Sequence, residues 1–165
     1  MWFLAEASGN ANFARSLKET GYKPKFVEYF VYGYGSNFIQ LAGDAAEGAA
    51  AWIRGLPVED GPSANAELGN YIDWMDQVAP NDRKDLFAAD GWASAKVFFD
   101  AMAAIPGPIT REALIAQLNK VDSYDAGGMF GRIQFAKERS NGCVVGMVVK
   151  GGKWTRLAPT SGFLC

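Results

Sequence analysis

Residues 32–54 place the strongest limit on the fold of this chain. They read Y-G-Y-G-S-N-F-I-Q-L-A-G-D-A-A-E-G-A-A-A-W-I-R. The apolar spacing over residues 38–42 predicts a short helix with Asn37 as its N-cap, and Gly43 can end that helix because glycine accepts a positive φ. The apolar run at residues 49–53 has the length of a buried strand. Together these features predict an α/β protein with an aromatic loop beside a sheet.

The residues before this stretch predict a second unit of the same kind. Residues 2–5 are typical of a buried strand, and Ser8 or Asn10 could cap a following helix that ends at Gly21. Residues 26–29 are rich in aromatic and β-branched side chains, which favours another strand. Two strands around one helix predict a right-handed βαβ unit.

The remainder of the chain predicts three helices followed by three strands. The first helix has apolar side chains at helical spacing over residues 68–78, and Pro80 ends it. A second helix begins at Asp82 or Asp85, and Thr110 caps a third. The strands are predicted at residues 132–135, 143–149 and 153–157, with the last two joined in a hairpin through Gly151 and Gly152.

Composition excludes several classes of protein. The 165 residues are 49% hydrophobic, with a net charge of −2. The Lys and Arg residues are scattered along the chain, which argues against a nucleic-acid or anionic-membrane partner. The absence of histidine excludes His-based triads and His metal sites. No apolar run approaches the roughly 20 residues that span a bilayer. The first residues lack a basic leader, so we expect no signal peptide there.

The two cysteines, Cys143 and Cys165, cannot form a structural zinc site by themselves. We favour a disulfide between them, which would contribute about 3 kcal/mol in the chain-entropy model. Two unrelated buried thiols are the alternative.

Catalytic motifs are weak in this sequence. Residues 33–38 begin like a dinucleotide fingerprint but lack its third glycine, so a flexible loop is the favoured interpretation. Neither a phosphate-binding loop nor a G-x-S-x-G elbow is present. Carboxylates are paired at Glu59 and Asp60, Asp82 and Asp85, and Asp122 and Asp125. Capping and turn hydrogen bonds explain most carboxylates in such places, and nothing distinguishes an acid–base pair among them.

Aromatic side chains are better candidates for a binding site. Tyr32 and Tyr34 flank glycines, where a core strand is disfavoured, so a ligand cleft is the preferred interpretation. Phe30 fits the core or the rim of a cleft equally well. Trp92 lies on an apolar helical stripe, which favours core packing over ligand contact. Glu6 follows a predicted strand, where open α/β sheets bind ligands, but a solvated loop charge would look the same.

Several stretches resemble one known family. They are residues 17–26, 42–48, 91–93 with 101–102, 124–135, and 151–154. Their order and spacing resemble the C-terminal part of type I periplasmic solute-binding proteins, closest to the leucine/isoleucine/valine-binding family of ABC-transporter receptors. The resemblance spans nearly the whole chain.

This resemblance implies parts of two doubly wound, Rossmann-like lobes that close on a ligand by hinge bending. Residues 1–50 and 140–165 would belong to the second lobe and residues 58–135 to the first. The chain would cross between the lobes near 50–57 and 135–140. Its length would correspond to roughly the last two-fifths of a receptor, so self-association through incomplete sheets is expected.

The resemblance also implies a function. The protein would be a non-enzymatic, extracytoplasmic receptor that works with an ABC-transporter permease and needs no cofactor or metal. Its ligand loops would map onto residues 6–8 and 30–34, which makes Glu6, Ala7, Phe30, Tyr32 and Tyr34 candidate ligand residues, together with Trp92.

The position of the family's ammonium-binding glutamate is occupied by Phe30, Val31 or Tyr32. This favours a small solute such as an amino acid or a related amide or aromatic compound. Two alternatives stay open: an α/β enzyme with Glu6 or Asp44 as its base, and a cytoplasmic sensor of the same fold with free thiols.

Overall fold

The computed structural model describes residues 1–134 and 142–165. The helices are α1 Ala7–Thr20, α2 Phe30–Gly33, α3 Ser36–Ala42, α4 Ala66–Val78, α5 Leu86–Ala103 and α6 Arg111–Leu118. The strands are β1 Ala50–Ile53, β2 Ser123–Tyr124, β3 Ile133–Gln134, β4 Val145–Lys150 and β5 Lys153–Ala158. Short 3₁₀ turns lie at Gly43–Ala46 and Val58–Asp60. The fold is therefore mixed α/β, as the sequence predicts.

The main sheet has the order β1-β4-β5, with both pairs antiparallel. The predicted hairpin is confirmed, because Lys150 lies opposite Lys153 across the turn at Gly151 and Gly152. The strands β2 and β3 form a separate antiparallel pair. The N-terminal segments extend the main sheet only through single parallel bridges, from Trp2 to Glu28 and from Glu28 to Ala50.

The full strands predicted at residues 2–5 and 26–29 are therefore wrong, although their parallel pairing is correct. A few backbone bonds hold the two segments, including Phe3 N–H to the carbonyl of Glu28 and Tyr29 N–H to that of Ala50, each 2.9 Å. The outermost segment has a partner on one side only, and the Trp2 side chain is 84% exposed. Little apolar burial supports a longer ladder there.

Helix ends follow local chemistry in most cases. Gly21 ends α1 with φ 69°, and Gly43 follows α3 with φ 59°, both predicted from the sequence. Asp85 caps α5 by accepting from Ala88 N–H at 3.0 Å, and Thr110 caps α6 by accepting from the Ala113 N–H at 3.1 Å.

The caps predicted for α1 and α3 are wrong. The residue before α1 is Glu6, and its side chain makes no capping bond. Asn10 lies buried inside that helix, where its side-chain amide donates to the Ala5 carbonyl at 2.8 Å. Asn37 is already within α3, which begins after Gly35. Asn10 uses its side chain for a local bond to the backbone inside the packed helix start, and α3 begins two residues earlier than its predicted cap allows.

One apolar cluster joins the sheet to the helices. The largest of its fully buried side chains are Phe38, Ile53, Leu68, Tyr71, Met129, Val145, Met147 and Val149. The cluster contains residues from both parts of the chain that the sequence assigns to different lobes. It holds α3 against the sheet and brings the start of α5 close to the loop after α2.

The C-terminal tail is tied back to the sheet. Cys143 and Cys165 form the predicted disulfide across 22 residues. Val144 and Leu164 pair as an isolated antiparallel bridge beside it. Of the two predicted crossings, the one near 50–57 includes β1, and the one at 135–140 lies outside the described residues.

Candidate functional site

A small cavity lies between the N-terminal loops and the start of α5. Its volume is about 100 Å³, several times the roughly 30 Å³ that one water occupies in the liquid. Its wall consists of Glu6, Ala7, most of residues 32–38, and Arg83, Asp85 and Phe87. We call it the aromatic cavity. It brings together four of the predicted ligand residues: Glu6, Ala7, Tyr32 and Tyr34.

Aromatic rings from distant segments meet at this cavity. The ring centroid of Tyr32 lies 5.5 Å from that of Phe87, across the cavity wall, and 6.2 Å from that of Phe30. Phe30 has φ 53°, a conformation that a bulky side chain rarely adopts. Backbone held in such a conformation is concentrated at ligand sites and switches. The result is a row of three rings, Phe30, Tyr32 and Phe87.

Tyr34 forms the inner part of the wall. Its hydroxyl donates to the Glu59 carboxylate, and its ring centroid lies 5.6 Å from that of Trp154. Burial, reinforced by the negative charge of Glu59, raises the pKa of Tyr34 well above its ordinary value. Burial also raises the pKa of Glu59, against the opposing effect of this hydrogen bond. Tyr34 is therefore a neutral donor already engaged at neutral pH.

The segment that carries these tyrosines, α2 and the residues directly after it, is fixed at both sides. The indole N–H of Trp154 donates to the carbonyl of Gly35 at 3.1 Å. A Cβ at Gly33 would lie 2.5 Å from Tyr29 Cβ, so only glycine fits at this close approach. These contacts hold Tyr32 and Tyr34 in place between α1 and β5 while leaving Tyr32 half-exposed to the cavity.

Three charged residues contribute to the wall. Glu6 is exposed, and its carboxylate makes no hydrogen bond within the described part of the chain. Asp85 is occupied in capping α5. Arg83 Nη1 lies 3.6 Å from Asp85 Oδ2, which is too long for a direct hydrogen bond. Glu6 and Arg83 thus have unused acceptor and donor capacity, respectively.

A second, more polar cavity of about 550 Å³ adjoins the first. The two cavities share Tyr34, Gly35, Asn37, Arg83 and Asp85. A solute larger than the aromatic cavity could therefore extend past Arg83 into the polar cavity.

Two predicted ligand residues lie elsewhere. Phe30 is 49% exposed, so it is not a core residue. It lies outside the cavity wall and contacts a wall residue, Tyr32, through its ring. Trp92 donates its indole N–H to the Glu67 carboxylate at 2.7 Å and packs edge-on against Tyr71. Trp92 lines a separate groove on α4 and α5. The apolar helical stripe that includes Trp92 therefore serves packing rather than the aromatic cavity.

Sequence reasoning missed Arg83 and Phe87 as wall residues. Both lie next to the α5 cap at Asp85, which was recognised, but no motif marks them as ligand contacts. Only their proximity to Tyr32 and Glu6 in three dimensions identifies them.

Two other carboxylates considered from the sequence, Asp44 and Asp125, have structural partners. Asp44 is exposed and paired with Lys18, whose charge and hydrogen bond lower its pKa, so it is poorly placed as a general base. Asp125 accepts from Gly128 N–H at 3.2 Å in a turn.

Among residues 1–134 and 142–165, no group of three metal-ligating side chains converges. No helix in those ranges is long and apolar enough to cross a membrane.

The fold and the cavity together define an α/β protein that places a small aromatic-walled cavity between two segments of its chain. The family model for periplasmic binding proteins matches residues 1–153. The chain therefore belongs to the periplasmic binding protein family, which consists of extracytoplasmic solute-binding proteins rather than enzymes. The predicted family is confirmed.

Solved structures with the same fold include three bacterial receptors. The leucine-binding protein LivK of Thermotoga maritima MSB8 superposes with a TM-score of 0.70 at 16% identity, over 95% of this chain and 43% of its own. A branched-chain amino acid ABC transporter protein of Thermus thermophilus with bound valine superposes with a TM-score of 0.71 at 17% identity. The superposition covers 95% of this chain and 44% of the Thermus protein.

The third is the fatty acid ABC transporter substrate-binding protein of Thermomonospora curvata. It gives a TM-score of 0.77 at 17% identity, over 99% of this chain and 42% of its own. This chain thus spans less than half the length of these structures. Among curated protein sequences there is no match.

Proposed function

We propose that this protein is the substrate-binding component of an ABC importer and holds a small solute in the aromatic cavity. The observation that carries the proposal is the convergence of Glu6, Ala7, Tyr32 and Tyr34 with Arg83 and Phe87 around one cavity. Ligand sites in open α/β folds lie beyond the ends of strands. In support, residues 6–7 follow the bridge at Trp2 and residues 32–35 follow the bridge at Glu28, each at the start or the end of a helix.

The proposed division into lobes follows the sequence. Residues 1–50 and 140–165 would form the second-lobe portion and residues 58–135 the first, with a hinge near 50–57. In this arrangement Tyr32 and Phe87 face each other from different lobes, 5.5 Å apart. Bending at the hinge would then open and close the aromatic cavity.

Each wall residue has a distinct proposed role. Tyr32 would stack on the solute, because its ring lines the cavity between Phe30 and Phe87. Glu6 would accept from an ammonium or amide of the solute. Tyr34, whose hydroxyl is committed to Glu59, would supply apolar surface. Ala7 would leave room beside Glu6.

The solute proposed is an amino acid or a related amide or aromatic compound. Leucine, valine and fatty acids are named for the solved relatives, so this size of solute suits the fold. Transport through a membrane permease and an exported location belong to the same proposal. A carboxylate-based enzyme is not favoured, because Asp44 lies on the surface and Glu6 has no partner among residues 1–134 and 142–165 that would tune it as a base.

Titration calorimetry of the purified protein tests this proposal. The panel would contain leucine, valine, phenylalanine, phenylacetate and hexanoate. We expect at least one to bind, and Tyr32→Ala to weaken that binding by about 1–3 kcal/mol, typical of truncating an anchor residue.

The control is the melting temperature of the same variant. It should change little, because Tyr32 is an exposed residue of the short helix α2. A collapse of the melting temperature with unchanged affinity would show that Tyr32 serves packing rather than binding. Trp92→Phe is a matched aromatic change outside the cavity and should leave affinity unaltered.

A further inference from the structure

Arg83 stands at the junction of the two cavities. It lines both the aromatic cavity and the polar cavity, and its side chain is about half-exposed. It lies in the segment between α4 and α5, and Glu6, from the start of the chain, lines the same cavity. A guanidinium carries five N–H donors in a planar fork that matches a carboxylate in bidentate fashion.

The Arg83 guanidinium has N–H donors that make no hydrogen bond within the described residues. Its nearest acid, Asp85, directs Oδ1 to the backbone N–H of Ala88, and Asp85 Oδ2 lies 3.6 Å from Arg83 Nη1. Within the described residues, this long ion pair is the polar contact that Arg83 makes. Arg156 shows the contrast, because its guanidinium is consumed by Asp60 and by the carbonyls of Pro159 and Gly162.

We infer that Arg83 is a specificity-determining residue that binds an anionic group of the solute, most simply a carboxylate, at the mouth of the aromatic cavity. This inference rests on the proposed function of that cavity. The Phe87 ring, four residues later and 5.5 Å from Tyr32, would hold the apolar part of the same solute. The solute would therefore carry an anionic end and a flat or branched apolar end.

The acids of the wall are compatible with this role. Asp85 already has its charge stabilised by the first turn of α5, an 18-residue helix. Glu6 lies on the other segment and would meet a donor on the solute, or water if the solute has none. Among residues 1–134 and 142–165, Arg83 is the one cationic side chain in the wall of the aromatic cavity. It is therefore the charged group in that wall best suited to an anion.

Calorimetry with paired solutes tests the role of Arg83. Phenylacetate, leucine and hexanoate are each compared with their carboxamides: phenylacetamide, leucinamide and hexanamide. We expect the purified protein to prefer the carboxylate, and Arg83→Gln to weaken carboxylate binding by about tenfold or more while changing amide binding less than about threefold, since charge-assisted bidentate bonds are the strong ones. Arg111→Gln, at the exposed start of α6, is the matched control.

The outcomes are distinguishable. If carboxylates bind and Arg83→Gln binds them equally well, the assignment of Arg83 is wrong while the proposed function stands. If the protein prefers the amides, the assignment is wrong as well. If none of the solutes binds the unaltered protein, the proposed function of the cavity fails, and the role of Arg83 fails with it. Compared with Arg83→Gln, Arg83→Lys should retain part of the preference for carboxylates, because lysine keeps the positive charge but lacks the planar bidentate donors of arginine.

Discussion

Tyr34 links the binding loop to the segment that follows β1. Its ring packs in the aromatic cluster with Trp154, and its hydroxyl is bonded to Glu59. Burial and the neighbouring carboxylate both favour the neutral phenol, which is why its pKa is raised. A buried phenol beside a carboxylate stabilises the fold only while it keeps its proton.

The stability of the protein should therefore fall in alkali. Above pH 10, the ordinary pKa of tyrosine, the unfolded chain loses the Tyr34 proton while the folded protein keeps it. The unfolded state then binds fewer protons, so the free energy of unfolding decreases as pH rises, by up to about 1.4 kcal/mol per pH unit for one such group. Urea unfolding at pH 8 and pH 11 measures this loss.

Tyr34→Phe should reduce that alkaline loss, although its stability at pH 8 will be lower because the bond to Glu59 is gone. Part of the loss should persist, since burial also raises the pKa of Tyr29 to about 12. Tyr22→Phe, at an exposed site, is the control and should leave the loss unchanged. Equal losses in Tyr34→Phe and the unaltered protein would contradict the prediction.

At the scale of elements, Arg156 connects β5 to the 3₁₀ turn at Val58–Asp60. Its Nε lies 2.8 Å from Asp60 Oδ1 and its Nη2 lies 2.6 Å from Asp60 Oδ2. Both side chains are nearly buried, with exposed fractions of 12% and 16%. Since that turn also holds Glu59, the partner of Tyr34, the pair secures the position of the cavity wall relative to the sheet.

Removing one partner should be costly. We expect Arg156→Gln to lower the free energy of unfolding by about 3–5 kcal/mol, because Asp60 would be left nearly buried without its counter-charge. Guanidinium-induced unfolding followed by circular dichroism measures the change. The matched control is Lys18→Gln, which breaks an exposed pair with Asp44 and should leave the free energy of unfolding nearly unchanged. Similar costs for the two changes would refute this role of Arg156.

At the scale of the whole molecule, α4 and α5 present apolar side chains to solvent. Phe99 is 61% exposed and Trp74 is 52% exposed, and both line a groove of about 570 Å³. Phe98 packs edge-on against Phe99, with ring centroids 5.7 Å apart. Contiguous apolar surface of this kind is typical of an interface.

We therefore expect the 165-residue chain to associate with itself through this groove. Phe99→Asp should weaken the association by at least about tenfold, because a charge would be carried into the apolar contact. Sedimentation velocity over a range of concentrations measures it. Tyr22→Asp, which alters an exposed aromatic residue beside α1, should have little effect. A monomer at every concentration would show that the groove is not a self-association surface.

The sequence by itself determined the features that depend on neighbouring residues. Gly21, Gly43, Asp85 and Thr110 mark helix ends, because a positive φ or a side-chain bond to a backbone N–H acts within a few residues. The hairpin at residues 151–152 is predicted for the same local reason. The disulfide and the family resemblance were also readable from the sequence.

Only the tertiary structure decided where distant segments meet. Arg83 and Phe87 join Glu6 and Tyr32 because the shared apolar core brings the start of α5 to the loop after α2, and no local pattern encodes that contact. Trp92 lies in another groove because its helix turns it toward Glu67. The length of the strands at the sheet edge and the set of residues that line the cavity both depend on which surfaces pack together. Local propensity contains no information about such packing.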